Sequence, residues 1–285
     1  MAASLSPTQV AQYRRDGFLF PVDCLTQDEV HHYRSRLEAF EQEQGDTLGK
    51  LPDLLRSKTH LLFSWMDALV RHPKVLDAVE SIIGPDILLY HLTSWLKEPQ
   101  EPSHVSWHQD GTYFGLEPYE QITAWIALTD ATPEMGCIRL IPGSHVIGQR
   151  PHKDTATPGN LLSRGQTIEH KLDYANYVMM PLRAGQISLH HTHVVHSSEP
   201  NQTQQRRIGI GASYIPTHCR LVNGDARVTA MLMRGRDGYG HFDAEPRPAG
   251  DFDVASRAAH ADAVARFFES NKLLAARRRS GNVGI

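Results

Sequence analysis

The stretch QISLHHTHVVHSSEPNQTQQRRIGIGASYI, residues 186–215, decides how this chain folds. It opens on apolar and β-branched residues, breaks at Glu199-Pro200-Asn201, and resumes at Ile208 as a second extended run to Ile215. Two short strands parted by a polar turn belong to an antiparallel architecture. Similar runs lie at Ile87 to Leu96, Ile122 to Leu128 and Ile138 to Ile141, separated by Pro, Gly, Asn and Asp, and Gln186 to Val195 reads as a single strand. Before them the chain is helical. Ser6-Pro7-Thr8-Gln9 and Thr26-Gln27-Asp28-Glu29 have the form of capping boxes, with Gly17 and Gly45 at the far ends. Phe18-Leu19-Phe20 is a brief extended run closed by Pro21, and a polar stretch leads to a third helix from Pro73, with Gly84 beyond it. Val30, Tyr33, Leu37 and Phe40, then Val75, Leu76, Val79, Ile82 and Ile83, recur at helical spacing and read as core.

Helices followed by many short strands give a mainly β protein with flanking helices, a sandwich or barrel. The expected organisation is one domain over residues 1–285. Residues 1–85 form a helical support and 86–220 the β core. Residues 149–176 are a polar insertion long enough to serve as a lid, and 221–285 a C-terminal extension with a helix from about Asp253 to Lys272. The charge balance excludes some classes of partner. Lys and Arg number 29 against 32 Asp and Glu, so no global positive field holds nucleic acid. No apolar run approaches the length of a membrane span, and no basic-then-apolar leader opens the chain. Cys24, Cys137 and Cys219 are odd in number and far apart, which fits a reducing cytoplasm rather than a disulfide scaffold or zinc cluster.

Seventeen of the 285 residues are histidine, the commonest neutral metal ligand. Val105-Ser-Trp-His-Gln-Asp110 sets His108 and Asp110 two residues apart, on one face if the strand continues. An imidazole and a carboxylate side by side form one edge of a facial metal triad. The third ligand comes from His190, His191, His193 or His196. His190 and His196 would share one strand face, and His191 and His193 the other. His196, where the apolar stretch gives way to a turn, is the choice. Two histidines and one carboxylate leave open positions that suit non-haem Fe(II), with a zinc hydrolase as the competing metal reading. Arg207, with Arg206 beside it, starts the next strand. If that strand returns as a hairpin beside the first, a guanidinium sits near the metal and requires an anionic partner such as a dicarboxylate. Two solvated arginines are the bland alternative. Lys58-Thr-His60 and Lys97 could reach an anionic substrate group, although an exposed lysine is ordinarily just solvated, and His145 reads as structural.

The ordered set His108-Gln109-Asp110, Gly136-Cys-Ile-Arg-Leu-Ile-Pro-Gly-Ser-His145 and Val195-His196-Ser-Ser-Glu-Pro-Asn201, followed by Arg207, resembles the phytanoyl-CoA dioxygenase family over roughly residues 8 to 220. The resemblance implies a double-stranded β-helix, or jelly roll of the cupin kind, and Fe(II)- and 2-oxoglutarate-dependent oxygenase chemistry using O2, with ascorbate as a stimulant. It implies His108, Asp110 and His196 as iron ligands and Arg207 with Ser198 as the clamp on the distal carboxylate. Gln109, Thr93 and Trp125 would line the cofactor or substrate pocket. A carboxylate at position 110, where halogenating relatives carry a small residue, implies hydroxylation. The expected activity is hydroxylation of an unactivated C–H of a small metabolite with release of succinate and CO2. A tailoring oxygenase of a secondary-metabolite pathway, or an aminophosphonate-type hydroxylase, is the alternative. A metal-binding jelly-roll sensor without turnover is the non-enzymatic rival.

Overall fold

The computed structural model of the chain describes residues 4–155, 157–169, 176–222 and 227–279. Seven strands, β1 (Phe18–Asp23), β2 (Ile87–Lys97), β5 (Ile122–Ala127), β10 (Gln186–His191), β12 (Arg207–Pro216), β14 (Thr229–Arg234) and β15 (Asp243–Ala244), form one sheet in the order β1-β10-β5-β12-β2-β14-β15. Four more, β3 (Val105–His108), β6 (Ile138–Leu140), β9 (Val178–Met180) and β11 (His196–Ser198), form a second in the order β3-β11-β6-β9. Two minor pairs complete the set: β4 (Leu116–Glu117) with β13 (Arg220–Leu221), and β7 (His152–Lys153) with β8 (Thr167–Ile168). This is the jelly-roll arrangement, mainly β with helices outside.

The central strands β2, β5, β10 and β12 are buried on nearly every residue because both faces of the sheet are covered. Leu92, Ala124, Ile126, Leu189, Ile208, Ile210 and Ala212 face a core shared with α2 (Gln27–Gln44), α3 (Ser64–Val70) and α4 (Pro73–Ile83). The alternate residues, among them Thr93, Trp95, Thr123, Trp125, His190, Gly211 and Ser213, face a pocket beside the small sheet. Glycines alternate in β12 for a steric reason. A Cβ on Gly209 would lie 1.8 Å from the Trp125 ring and one on Gly211 2.8 Å from Trp95 Nε1, so both indoles need bare backbone opposite them.

Both capping boxes are present, at Ser6 ahead of α1 (Pro7–Asp16) and at Thr26 ahead of α2, and Gly17 and Gly45 end their helices in the left-handed conformation. Other expectations change. β1 runs through Pro21 to Asp23 with an irregularity between Leu19 and Val22, because Pro is tolerated at a sheet edge. Ser64–Val70, within the stretch read as polar, is a helix with Trp65, Met66, Leu69 and Val70 buried. Residues 186–195 are not one strand. The ladder stops at His191, and the chain crosses to the other sheet before His196.

The tail adds β14 and β15 to the large sheet and ends in α6 (Val254–Arg279), longer than expected. Of the expected lid, β7, β8 and Leu161 to Ser163 are described, whereas residues 156 and 170–175 lie outside the described residues. Among the described residues no helix is long and apolar enough to cross a membrane. Cys24, Cys137 and Cys219 are all free and buried.

Candidate metal centre

β11 runs between β3 and β6, and its register sets His196 directly opposite His108, with ring centroids 4.1 Å apart. Asp110 completes the group, but not from a strand. β3 ends at His108, and Asp110 has helical backbone angles at the start of α5 (Gly111–Phe114). The same-face argument that paired it with His108 therefore does not apply. The turn brings its Oδ1 to 3.5 Å from His108 Nε2 and 3.6 Å from His196 Nε2. The three ligand atoms all lie within 4.8 Å of one another.

Whether these residues suit a divalent metal is decided by their hydrogen bonds. His108 Nδ1 lies 2.9 Å from the Ser106 carbonyl and His196 Nδ1 3.0 Å from the Val194 carbonyl. A carbonyl only accepts, so each Nδ1 carries the proton and each Nε2 turns a lone pair toward the centre. Burial, and then the neighbouring His108, push the His196 imidazolium down to about 3, which keeps the ring neutral as a ligand must be. Burial alone would raise the Asp110 carboxyl, but the imidazoles of His196, His108 and His190 outweigh it and hold it well below the usual carboxylate range. Thr123 Oγ1 donates to Asp110 Oδ2 at 2.9 Å, leaving Oδ1 on the histidine side. Two neutral nitrogens and one ionised oxygen on a facial edge fit a non-haem Fe(II).

His190 is also close, its Nε2 3.6 Å from Asp110 Oδ2, and it lines the same pocket from β10. It faces the oxygen that Thr123 holds, so it stands behind the carboxylate. His191 and His193 lie away from the triad: His191 Nδ1 accepts from the His193 amide, and the His193 ring packs on Tyr119.

One pocket holds the triad together with Thr93, Trp125, Ser198 and Arg207. Arg207 does not arrive by the hairpin expected from the sequence. β12 pairs with β2 and β5 in the large sheet, so Arg207 reaches the pocket from the wall opposite β11. It is 2% exposed, lies over the Trp125 ring at 5.5 Å, and donates through Nη1 to the Gly136 carbonyl, while its Nε has no partner. Burial lowers its pKa to about 10, so it remains a cation at neutral pH. Among the described residues no carboxylate pairs with it. Arg206 faces the other way, held by Glu41 at 2.6 and 2.9 Å and by Glu98 at 2.8 Å, and is not a solvated charge.

Gln109 is fully buried and turned away from the pocket. Its Nε2 donates to the Gly148 and His193 carbonyls, and its Oε1 accepts from the Arg150 amide, so it fixes the loop behind the centre instead of lining it. Lys58 and Lys97 are not solvated: they and His60 are each 0% exposed. His145 is structural, bonded to the Arg14 carbonyl and packed on Gly17.

Sequence reasoning missed the outer lobe of the pocket. There Phe267, Phe268 and Asn271 of α6 join Arg56, Leu161 and Leu162 around the approach to His108 and Asp110. Phe267 stacks on His91 at 3.9 Å. The aromatic pair at 267–268 was the one available signal.

Comparison with known proteins agrees with this geometry. Residues 13–209 match the family model for phytanoyl-CoA dioxygenase (PhyH). The chain is 29% identical over 206 residues to the probable alpha-ketoglutarate-dependent hypophosphite dioxygenase of Stutzerimonas stutzeri, covering 72% of this chain and 67% of that protein. It resembles the solved apo structure of the non-heme monooxygenase ThoJ at 34% identity and TM-score 0.84, over 94% of this chain and 99% of that one. It also resembles SnoK, an alpha-ketoglutarate-dependent carbocyclase from nogalamycin biosynthesis, at 26% identity and TM-score 0.62, over 78% and 89%. The chain belongs to the phytanoyl-CoA dioxygenase family.

Proposed function

We propose that this member of the phytanoyl-CoA dioxygenase family is an Fe(II)- and 2-oxoglutarate-dependent dioxygenase that hydroxylates an unactivated C–H of a small molecule. One observation carries the reading. A neutral, pre-oriented His-Asp-His group and a buried arginine without an acid partner share one pocket. His108, Asp110 and His196 would hold the iron. The chemistry such a centre supplies, when bound, is oxidative decarboxylation of 2-oxoglutarate to succinate and CO2 coupled to hydroxylation of the substrate.

The chain's own residues do the rest. Arg207 and the Ser198 hydroxyl fix the distal carboxylate by charge and hydrogen bonding in a site closed to water. Trp125 and Trp95, packed against Gly209 and Gly211, keep that end apolar. Thr123 holds one oxygen of Asp110 so that the other faces the histidines. Phe267, Phe268, Leu161 and Leu162 form the wall that selects which C–H approaches. A pure binding module has no need of a buried dicarboxylate clamp.

The likeness to SnoK, a carbocyclase from nogalamycin biosynthesis, favours a tailoring role on a secondary-metabolite scaffold. Three free, buried cysteines favour a cytoplasmic setting. The test is a substrate screen that follows succinate release with only Fe(II), ascorbate and 2-oxoglutarate added. Succinate formed in step with a hydroxylated product supports the reading. Turnover with Zn(II) and without oxygen overturns it.

A further inference from the structure

Lys97 is the cross-strand partner of Arg207, and its side chain follows Thr93 and Trp95 onto the pocket side of β2. It is fully buried, and its Nζ donates to Ser198 Oγ at 2.8 Å and to the Glu199 carbonyl. Arg207, likewise buried, has a carbonyl for one nitrogen and no partner for Nε. Among the described residues no carboxylate lies within ion-pair distance of either cation. The charged and titratable groups facing Lys97 are Arg207, Glu199, Cys137 and Arg139, and the Glu199 carboxylate is half exposed and bound to Arg139. Two adjacent basic side chains with only neutral acceptors are costly to keep charged when buried, unless a further, anionic group completes the site.

We propose that Lys97 is a positioning residue for the distal carboxylate of the bound dicarboxylate, acting through Ser198. This rests on the 2-oxoglutarate reading above. The hydrogen bond from Nζ occupies a lone pair of Ser198 Oγ, which turns the hydroxyl proton outward as a donor into the pocket. The charge of Lys97 adds to that of Arg207 at the same end. Burial and the adjacent guanidinium bring the Lys97 ammonium down to about 6, so at pH 8 the ligand-free chain holds it mostly as the amine. A carboxylate arriving beside it raises that value again, and the proton comes from the buffer. Binding at pH 8 therefore takes up a proton.

The experiment is anaerobic calorimetry of 2-oxoglutarate binding to the Fe(II)-loaded chain at pH 8, in two buffers of different ionisation enthalpy, with unfolding temperatures of the ligand-free protein. The wild type should take up a proton. Lys97→Met should lose that uptake and bind 2-oxoglutarate about tenfold or more weakly. Pyruvate, which lacks the distal carboxylate, should bind both proteins equally. The unfolding temperature of ligand-free Lys97→Met should hold or rise, because folding no longer has to strip a buried lysine of its proton. A lower unfolding temperature with unchanged affinity and uptake would make Lys97 a structural tie and overturn the proposal. The wild-type result stands without any variant: no proton uptake also overturns it. Arg207→Ala separates the two readings. If it leaves 2-oxoglutarate binding intact, the cosubstrate reading fails. If it weakens binding and Lys97→Met does not, only the role of Lys97 fails.

Discussion

Lys58, bonded to a carbonyl of β2, and Lys97, the last residue of that strand, are both buried, and they differ in whether they meet an acid. Lys58 donates to Glu245 Oε1 at 2.5 Å and to the Tyr90 and Thr229 carbonyls, and His60 Nε2 meets the other oxygen of Glu245 at 2.8 Å. That cation is neutralised inside the protein by a residue of the C-terminal tail. Lys97 meets a hydroxyl, a carbonyl and a second cation. A buried charge with its counter-ion ties the tail to the β core, whereas buried charges without one await an anion from outside. The first should be read out in folding and the second in binding.

The largest separation is expected at the triad. Replacing His108 or Asp110 by Ala should abolish iron-dependent turnover while circular dichroism stays that of the folded chain, since both side chains face the pocket. Full activity with iron retained would remove the assignment.

Glu245→Gln should act in the opposite sense. It leaves Lys58 buried beside a neutral amide, a change worth about 3–5 kcal/mol in a urea titration. The pH dependence follows from the same contact. Burial opposes ionisation of Glu245, but Lys58 and His60 prevail and hold its carboxyl at about 2. A depressed carboxyl contributes stability that is full above its unfolded value near 4.5 and is lost as pH falls toward 2. Wild type should lose stability across that window, and Glu245→Gln should lack this component. Equal acid sensitivity in both would mean that the pair is not an ion pair.

Arg207→Ala should raise the 2-oxoglutarate requirement about 30-fold or more, from a truncated charged contact of roughly 2–5 kcal/mol. Its neighbour gives the smallest effect on binding. Arg206→Ala should leave the requirement nearly unchanged and lower stability by about 1–3 kcal/mol, because it strands the buried Glu41. A large shift at Arg206 and none at Arg207 would invert the register of β12.

What the sequence made legible followed from local rules. The capping boxes before α1 and α2, the five β-rich stretches and the His-x-Asp spacing all need only neighbours within a few residues. What it concealed was long-range. Nothing between Leu189 and His196 marks the point where the chain leaves one sheet for the other, because the crossing through Thr192 to Val195 is as buried as the strands it joins. Asp110 does lie beside the two histidines, but a helical turn, not the strand that the spacing suggested, brings it there. Lys58 and Lys97 looked solvated because lysine usually is, and the residues that make their burial tolerable, Glu245 in one case and Ser198 in the other, lie far away in sequence. Phe267 is equally remote from the pocket it lines, and no motif points to it.

The central claim is that one centre, built from His108, Asp110 and His196, binds Fe(II) and 2-oxoglutarate together. It is tested most directly by adding 2-oxoglutarate to the Fe(II)-loaded chain without oxygen and recording the visible spectrum of wild type, His190→Gln and His196→Gln. The account predicts a weak charge-transfer band, saturating in proportion to the chain, in wild type and His190→Gln, and no band in His196→Gln. A band that survives in His196→Gln and vanishes in His190→Gln, or no band in wild type, would contradict it.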